Sequence, residues 1–403
     1  MIDTLRSVLR FRRMEWDRIE RVLARVANVE DLRRIAKRRL PRGVFDYIDG
    51  AAGDEISCAR NTRAFERLEF RPRVLRDVGD VDPSTTLLGR RLPIPLVLAP
   101  TGFVRIADPQ GELAVARAAQ RARLPYALST LGTRSIEELA TVSDGDKWLQ
   151  VYVWRDRQLL AEMLERAAAA GYSTIIVTVD VAVLGRRERD LRHGFTLPPK
   201  IGLGTILDGL LHPGWTWDFL RAEPIVFANV TGQSVGDGSD PITLSDYVNS
   251  QFDPTLSWRD IEWFRDRWDG AVVVKGIQTV EDAEIAAKNG IDAIALSNHG
   301  GRQLDGTPPP IELVAPVVQA VGDRTEVICD GGIRRGSDIV KAVALGARAC
   351  MIGRPYLYGL GAAGERGVDW VLDFFDQDVR RTMALAGQRT VADVDETLVR
   401  WRD

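Results

Sequence analysis

The sequence predicts a single (β/α)8 TIM barrel, an α/β fold, with an N-terminal helical segment and a long insertion after strand 4. Eight short apolar runs alternate with helix-like stretches, their spacing is regular except once, and polar residues gather where the runs end.

The runs are "LVLAP" from residue 96, "YALST" from 126, "WLQVYV" from 148, "TIIVTVD" from 174, "AVVVKGI" from 271, "AIALSN" from 293, "TEVICDGG" from 325 and "ACMIGR" from 349. Short aliphatic and β-branched runs suit parallel strands buried on both faces. Between them, "GELAVARAAQRAR", "RQLLAEMLERAAAAG", "TVEDAEIAAKNG" and "SDIVKAVALGA" read as helices, several closing on a glycine that tolerates the positive φ of a helix C-terminus. Successive run starts lie 30, 22, 26, 97, 22, 32 and 24 residues apart, so one unit carries an insertion, about residues 188–257. Eight such units fit a closed barrel better than an open doubly wound sheet.

The runs end on Thr101, Ser129, Thr130, Gln150, Tyr152, Thr178, Asp180, Lys275, Ser297, His299, Asp330, Gly353 and Arg354. A barrel builds its active site at the C-terminal ends of its strands, and polar groups buried there without partners are costly. A purely structural barrel has no reason to place Lys, His, Asp and Arg at that rim.

Composition excludes several classes. With 45% hydrophobic residues, 28% charged residues and a net charge of −3, the chain lacks the basic excess of a nucleic-acid binder, and no nucleic-acid partner is expected. Cys58, Cys329 and Cys350 form no CxxC pair, so neither a disulfide framework nor a metal site is expected, and a reducing cytoplasm fits. No apolar run reaches the roughly 18 residues of a spanning helix, and "MIDTLRSVLRFRRMEW" lacks a secretory core. Residues 1–40 carry twelve Lys/Arg against six Asp/Glu, a net of +6, with Ile19, Val22, Leu23 and Val26 at helical spacing. Residues 1–28 are read as a basic amphipathic extension docked on its own domain, and residues 29–395 as the barrel domain.

The last two units read "DGGIRRGSDIVKAVALGARACMIGRP". Gly331 and Gly332 free the backbone to approach a ligand, Ser337 or Asp338 can cap the next helix, and Gly353–Arg354 ends strand 8 with a cation. Loops after strands seven and eight are the usual phosphate site of a barrel. Tight turns alone would leave Arg334, Arg335 and Arg354 unexplained. In "ALSNHGGRQLDG", His299 is one of three histidines, with His193 and His212. Taken alone, it reads as a hydrogen-bonded turn.

The motifs "PRGVFDYIDGAAGDE", "TVDVAVLGRRERD", "SNHGGRQLDG" and "DGGIRRGSDIVKAVALGA" with "IGRP", in this order, resemble the FMN-dependent L-2-hydroxy-acid oxidases and dehydrogenases, over about residues 29–395. The family includes glycolate oxidase, L-lactate dehydrogenase and mandelate dehydrogenase. The resemblance implies an FMN cofactor held by Pro100, Thr101, Gly102, Ser129, Gln150, Tyr152, Thr178, Lys275 and Ser297. Its phosphate would lie on Asp330, Gly331, Gly332, Ile333 and Arg334 with Gly353 and Arg354. Lys275 would stabilise the negative charge that a reduced flavin gains. His299 matches the base that removes a substrate proton, and Asp180 the carboxylate that pairs with it. Arg187 and Arg302 match the clamp on the substrate carboxylate, which a guanidinium fork holds bidentately. Tyr47 and Tyr152 match two phenols that bond substrate oxygens. Leu131 and Gly102, where relatives carry tryptophan and alanine, leave a side-chain pocket that admits lactate and longer 2-hydroxy acids.

"HPGWTWDFL" and "FDPTLSWRDIEW" add a likeness to bacterial L-lactate dehydrogenases. The implied reaction is oxidation of a small-molecule 2-hydroxy acid, L-lactate to pyruvate, with electrons passed to a quinone or other electron acceptor. Oxygen as acceptor, an FMN-dependent isomerase and a peptide-modifying relative are the alternatives. The isomerase lacks the "NHGGRQ" site, and peptide-acting relatives lose the motif arginine that Arg302 retains. A homo-oligomer, a tetramer, is expected. The insertion's Ile206, Leu207, Leu210, Leu211, Trp215, Trp217, Phe219 and Leu220 suit a lid, a subunit contact or a peripheral membrane contact on the cytoplasmic face of the inner membrane, with lid or subunit contact preferred.

Overall fold

The computed structural model describes residues 16–192, 202–230 and 250–402. Eight parallel strands close a barrel: β1 (Leu96–Leu98), β2 (Tyr126–Ser129), β3 (Lys147–Tyr152), β4 (Thr174–Thr178), β5 (Ala271–Ile277), β6 (Ala293–Ser297), β7 (Glu326–Asp330) and β8 (Ala349–Ile352). Each pairs with its sequence neighbours, and β8 closes on β1. Every apolar run of the sequence is one of these strands.

Side chains alternate across each strand and divide the core in two. Inward lie Val97, Ala127, Trp148, Ile176, Val273, Ala295, Ile328 and Met351 with their neighbours in one buried cluster. Outward lie Leu98, Leu128, Leu149, Val177, Val274, Leu296 and Val327, packed against the surrounding helices in the other. Small residues at 127, 293, 295 and 349 leave the interior room for Trp148. A hairpin, Thr85–Leu87 with Arg90–Leu92, closes the lower mouth, where Leu87 and Leu92 join the inner cluster and Leu88 N–H donates to Glu326 at 2.7 Å.

Four helices among the described residues precede the barrel: α1 (Arg18–Leu23), α2 (Val29–Arg39), α3 (Arg42–Asp49) and α4 (Ile56–Glu66). Leu23 is buried, and Ile19 and Val26 pack against the core, so the described part of the N-terminal segment docks on its own domain. Residues 1–15 lie outside the described residues. At the other end Leu68–Phe70 pairs antiparallel with Val399–Trp401, so the folded body runs beyond residue 395. The barrel helices are α5 (Gly111–Ala122), α6 (Ile136–Val142) and α7 (Arg157–Ala169), then, after the insertion, α11 (Trp258–Arg265), α12 (Val280–Lys288), α13 (Pro310–Val321), α14 (Gly336–Ala344), α15 (Arg354–Ala363) and α16 (Glu365–Ala386).

The insertion holds α8 (Glu188–Arg192), α9 (Leu203–Leu211) and α10 (Pro213–Arg221). Trp215 turns inward, donating to Ile106 O at 2.7 Å, and stacks on Phe219. Arg105 holds the segment's exit by donating to Glu223 O and Pro224 O. Leu207, Leu211 and Leu220 are 62%, 78% and 73% exposed.

Candidate active site

Alternation along the strands explains why the polar residues converge. Residues sharing the inward parity of the buried interior continue upward as Thr101, Ser129, Gln150 with Tyr152, Thr178 with Asp180, Lys275, Ser297 with His299, Asp330 and Gly353. The barrel's own geometry therefore aims them into one space. A cleft opens there, lined by Tyr47, Pro100, Thr101, Gly102, Leu131, Tyr152, Arg187, Lys275, His299 and Arg302. Asp330, Gly331, Gly332, Ile333, Arg334, Gly353 and Arg354 line it as well.

His299 stands on a 3-10 turn, His299–Gly301, with φ +57°. Its N–H donates to Ser297 Oγ at 2.9 Å, and Gly301 N–H donates to Asn298 Oδ1 at 3.1 Å, which hold the strained backbone. Nδ1 lies 3.0 Å from Asp180 Oδ1. Burial alone would raise the Asp180 carboxyl, but the charges of His299 and Lys275 and the His299 hydrogen bond bring it below the usual carboxylate range. An ionised carboxylate only accepts, so Nδ1 carries the hydrogen that joins the pair. Room for Asp180 comes from a bulge in β5: at Gly276 (φ +110°) a Cβ would lie 2.8 Å from the Asp180 side chain.

Below the cleft lies a polar layer. Lys275 Nζ is 3.0 Å from both Ser297 Oγ and Asp330 Oδ2, and Ser297 Oγ donates to Asp330 at 2.7 Å. Burial works against the Lys275 ammonium, yet Asp330 and Asp180 hold its pKa above the ordinary lysine value. Ser129 Oγ donates to Gln150 Oε1 at 2.9 Å, and Gln150 Nε2 donates to Thr178 at 3.0 Å. Ser129, Gln150, Thr178, Ser297 and Asp180 thus sit under or behind the lining, bonded to one another or to lining residues.

Arg302 donates to Tyr47 O at 2.7 Å and Gly50 O at 3.0 Å, its guanidinium 5.0 Å from the Tyr47 ring centre. Burial and then the neighbouring Arg187 lower its pKa. Arg187 and Arg302 both line the cleft, where Asp190 offsets part of their charge, and two guanidiniums suit a bound carboxylate. Burial, then Asp180, pushes the Tyr152 phenol up, so it stays protonated and able to donate. Leu131 packs on Gly102, where a Cβ would stand 3.1 Å from Leu131 Cβ.

The glycine-rich loop after β7 has two reasons for its glycines. Gly331 and Gly332 take φ of +121° and +85°, and a Cβ on Gly332 would lie 2.1 Å from Asn61 O. The sequence reading assigned them to ligand approach alone, whereas close packing on α4 requires Gly332 independently. Asp338, not Ser337, caps α14, accepting from Arg334 N–H and Arg335 N–H at 2.9 and 3.0 Å. Arg354 donates to Ile48, Gly50 and Gly300 carbonyls. Backbone donors, Arg334, Arg354 and the start of α15 suit a phosphate, while the Lys275 layer suits a group that gains negative charge. That donor set fits FMN.

Four contributors escaped sequence reasoning. Asn61 and Asn298 exchange amide hydrogen bonds of 2.7 and 2.8 Å and so brace the His299 turn. Gln303 bonds the loop after β4. Phe252, from the insertion's return, meets the Tyr152 ring edge-on at 5.2 Å and lines the cleft. Gln303 lies inside a motif; Asn61 and Phe252 carry no spacing that marks them.

Residues 36–401 match the family model for FMN-dependent dehydrogenase. A Mycobacterium tuberculosis protein, provisionally named an L-lactate dehydrogenase, is 47% identical, covering 96% of this chain and 92% of its own. The (S)-mandelate dehydrogenase of Pseudomonas putida is 42% identical over 89% of this chain and 90% of its own. A solved structure described as monotopic membrane protein (S)-mandelate dehydrogenase superposes with a TM-score of 0.90 at 40% identity, covering 94% of this chain and 100% of that one. With its barrel and converging cleft, this chain belongs to the FMN-dependent dehydrogenase family.

Proposed function

We propose that this cleft oxidises an L-2-hydroxy acid, L-lactate, to the 2-keto acid. The observation that carries the reading is the His299–Asp180 pair, 3.0 Å apart, in the same cleft as Arg187, Arg302 and two phenols. Arg187 and Arg302 hold the substrate carboxylate, and Tyr47 and Tyr152 bond its oxygens. His299 Nε2 takes the proton, and the Asp180 carboxylate stabilises the imidazolium that results. Pro100–Gly102, Lys275, Asp330–Arg334 and Gly353–Arg354 hold FMN, with the phosphate at the last two groups. FMN, when bound, supplies the two-electron acceptor. The relatives' names support lactate.

Electrons then pass to a quinone, with the enzyme held peripherally at a membrane through α9 and α10. Their exposed leucines support that contact, as does the monotopic character of the solved relative. No helix among the described residues is long and apolar enough to cross a membrane. The expected lid does not match these two helices: none of their residues lines the cleft.

His299→Gln tests the chemistry. The variant should keep its yellow flavin while reduction by L-lactate slows by about 10²–10⁴, the range for a lost general base. Reduction near the parental rate in stopped flow would remove His299 from the reaction.

A further inference from the structure

The loops after β4 and β6 carry the two halves of the proton-transfer pair and both guanidiniums of the clamp, and one side chain joins them. Gln303, buried beside the cleft, donates from Nε2 to Asp180 O at 2.9 Å and to Val183 O at 3.0 Å. Its Oε1 accepts from Gly185 N–H at 3.1 Å. Between Asp180 and Gly185 the chain is neither helix nor strand, so these backbone groups have no ladder to satisfy them. The amide does so with both of its hydrogens and its oxygen. The backbones also pass closely: a Cβ on Gly185 would lie 2.3 Å from Arg302 O and 2.7 Å from Gln303 Cα. Two carbonyls need two donors and the N–H needs an acceptor, so the site is specific for an amide of this length.

We propose that Gln303 is a positioning residue for the oxidation. By stapling the loop of Asp180 and Arg187 to the turn of His299 and Arg302, it sets the contact between base and carboxylate and the spacing of the clamp. The inference rests on the reading that His299 and Asp180 form the proton-transfer pair. Misplacement of about 1 Å is enough to cost on the order of 10²-fold in rate.

A double-mutant cycle tests it. FMN-loaded Gln303→Met, Gln303→Glu, Asp180→Asn and the Gln303→Met/Asp180→Asn double variant are mixed anaerobically with L-lactate, and oxalate affinity is read from the perturbed flavin spectrum. Gln303→Met should retain flavin, bind oxalate more weakly and be reduced about 10²-fold more slowly. The double variant should be no more than about 3-fold slower than Asp180→Asn alone, because both changes act through one contact. Gln303→Glu, the same shape with the donors removed, replaces Gln303→Met in the comparison if the latter does not fold. Reduction within about 3-fold of the parent, or losses that multiply in the double variant, overturns the proposal. Parental reduction by Asp180→Asn would instead overturn the proton-transfer reading, and this inference with it.

Discussion

Arg302 shows how much one side chain is asked to do. It donates to two carbonyls of the Tyr47–Gly50 segment, lies over the Tyr47 ring and faces the cleft beside Arg187. Lysine keeps the charge but not the planar fork, so it cannot brace the segment and present a bidentate pair together. Arg302→Lys should lower kcat/KM for L-lactate by about 10–100-fold, the worth of a charged hydrogen bond of roughly 1.5–3 kcal/mol. Steady-state kinetics measure it, and an unchanged kcat/KM would place the substrate carboxylate elsewhere. His299 and Asp180 were legible because strand-end position and motif both mark them, Lys275 by its strand-end position and Arg302 by its motif. Gln303 and Asn61 were not, since their roles come from contacts with Asp180 and Asn298, far away in sequence. No periodicity encodes such pairings.

At the scale of elements, all eight strands were legible as apolar runs, because burial on both faces leaves a strong hydrophobic mark. The hairpin at residues 85–92 was not. Its strands are short and partly charged, and it is held by plugging the barrel rather than by its own pattern. The loop after β2, which carries Leu131, is tied down by an equally hidden device. Glu112 on α5 is wholly buried and accepts from Thr133 N–H at 2.6 Å and from the Thr133 hydroxyl. Burial raises its pKa against the opposing Thr133 hydrogen bonds. A carboxyl raised on folding contributes stability below its unfolded value of 4.5, and this contribution is lost as pH rises through the folded value. Glu112→Gln removes that loss. Its melting temperature relative to the parent should therefore rise from pH 5 to pH 8, read by calorimetry at matched flavin occupancy. A difference independent of pH would mean that Glu112 is no more proton-loving folded than unfolded.

For the whole molecule, the sequence located the insertion but not its direction. Apolar density alone does not distinguish a lid from an outward face. Trp215 and Arg105 anchor α10 to the loop after β1, leaving Leu207, Leu211 and Leu220 outward. Vesicles containing anionic phospholipid should therefore carry the protein into the pellet at low salt. Leu207→Glu/Leu211→Glu/Leu220→Glu should return it to the supernatant with flavin bound. Parent protein that stays in the supernatant would exclude this contact. The chemistry itself is tested most directly by anaerobic titration of the FMN-loaded enzyme with each enantiomer of lactate. L-lactate should bleach the visible flavin band and yield one pyruvate per flavin, while D-lactate leaves the band unchanged. A flavin that stays oxidised with L-lactate and with every longer L-2-hydroxy acid would contradict the proposed oxidation.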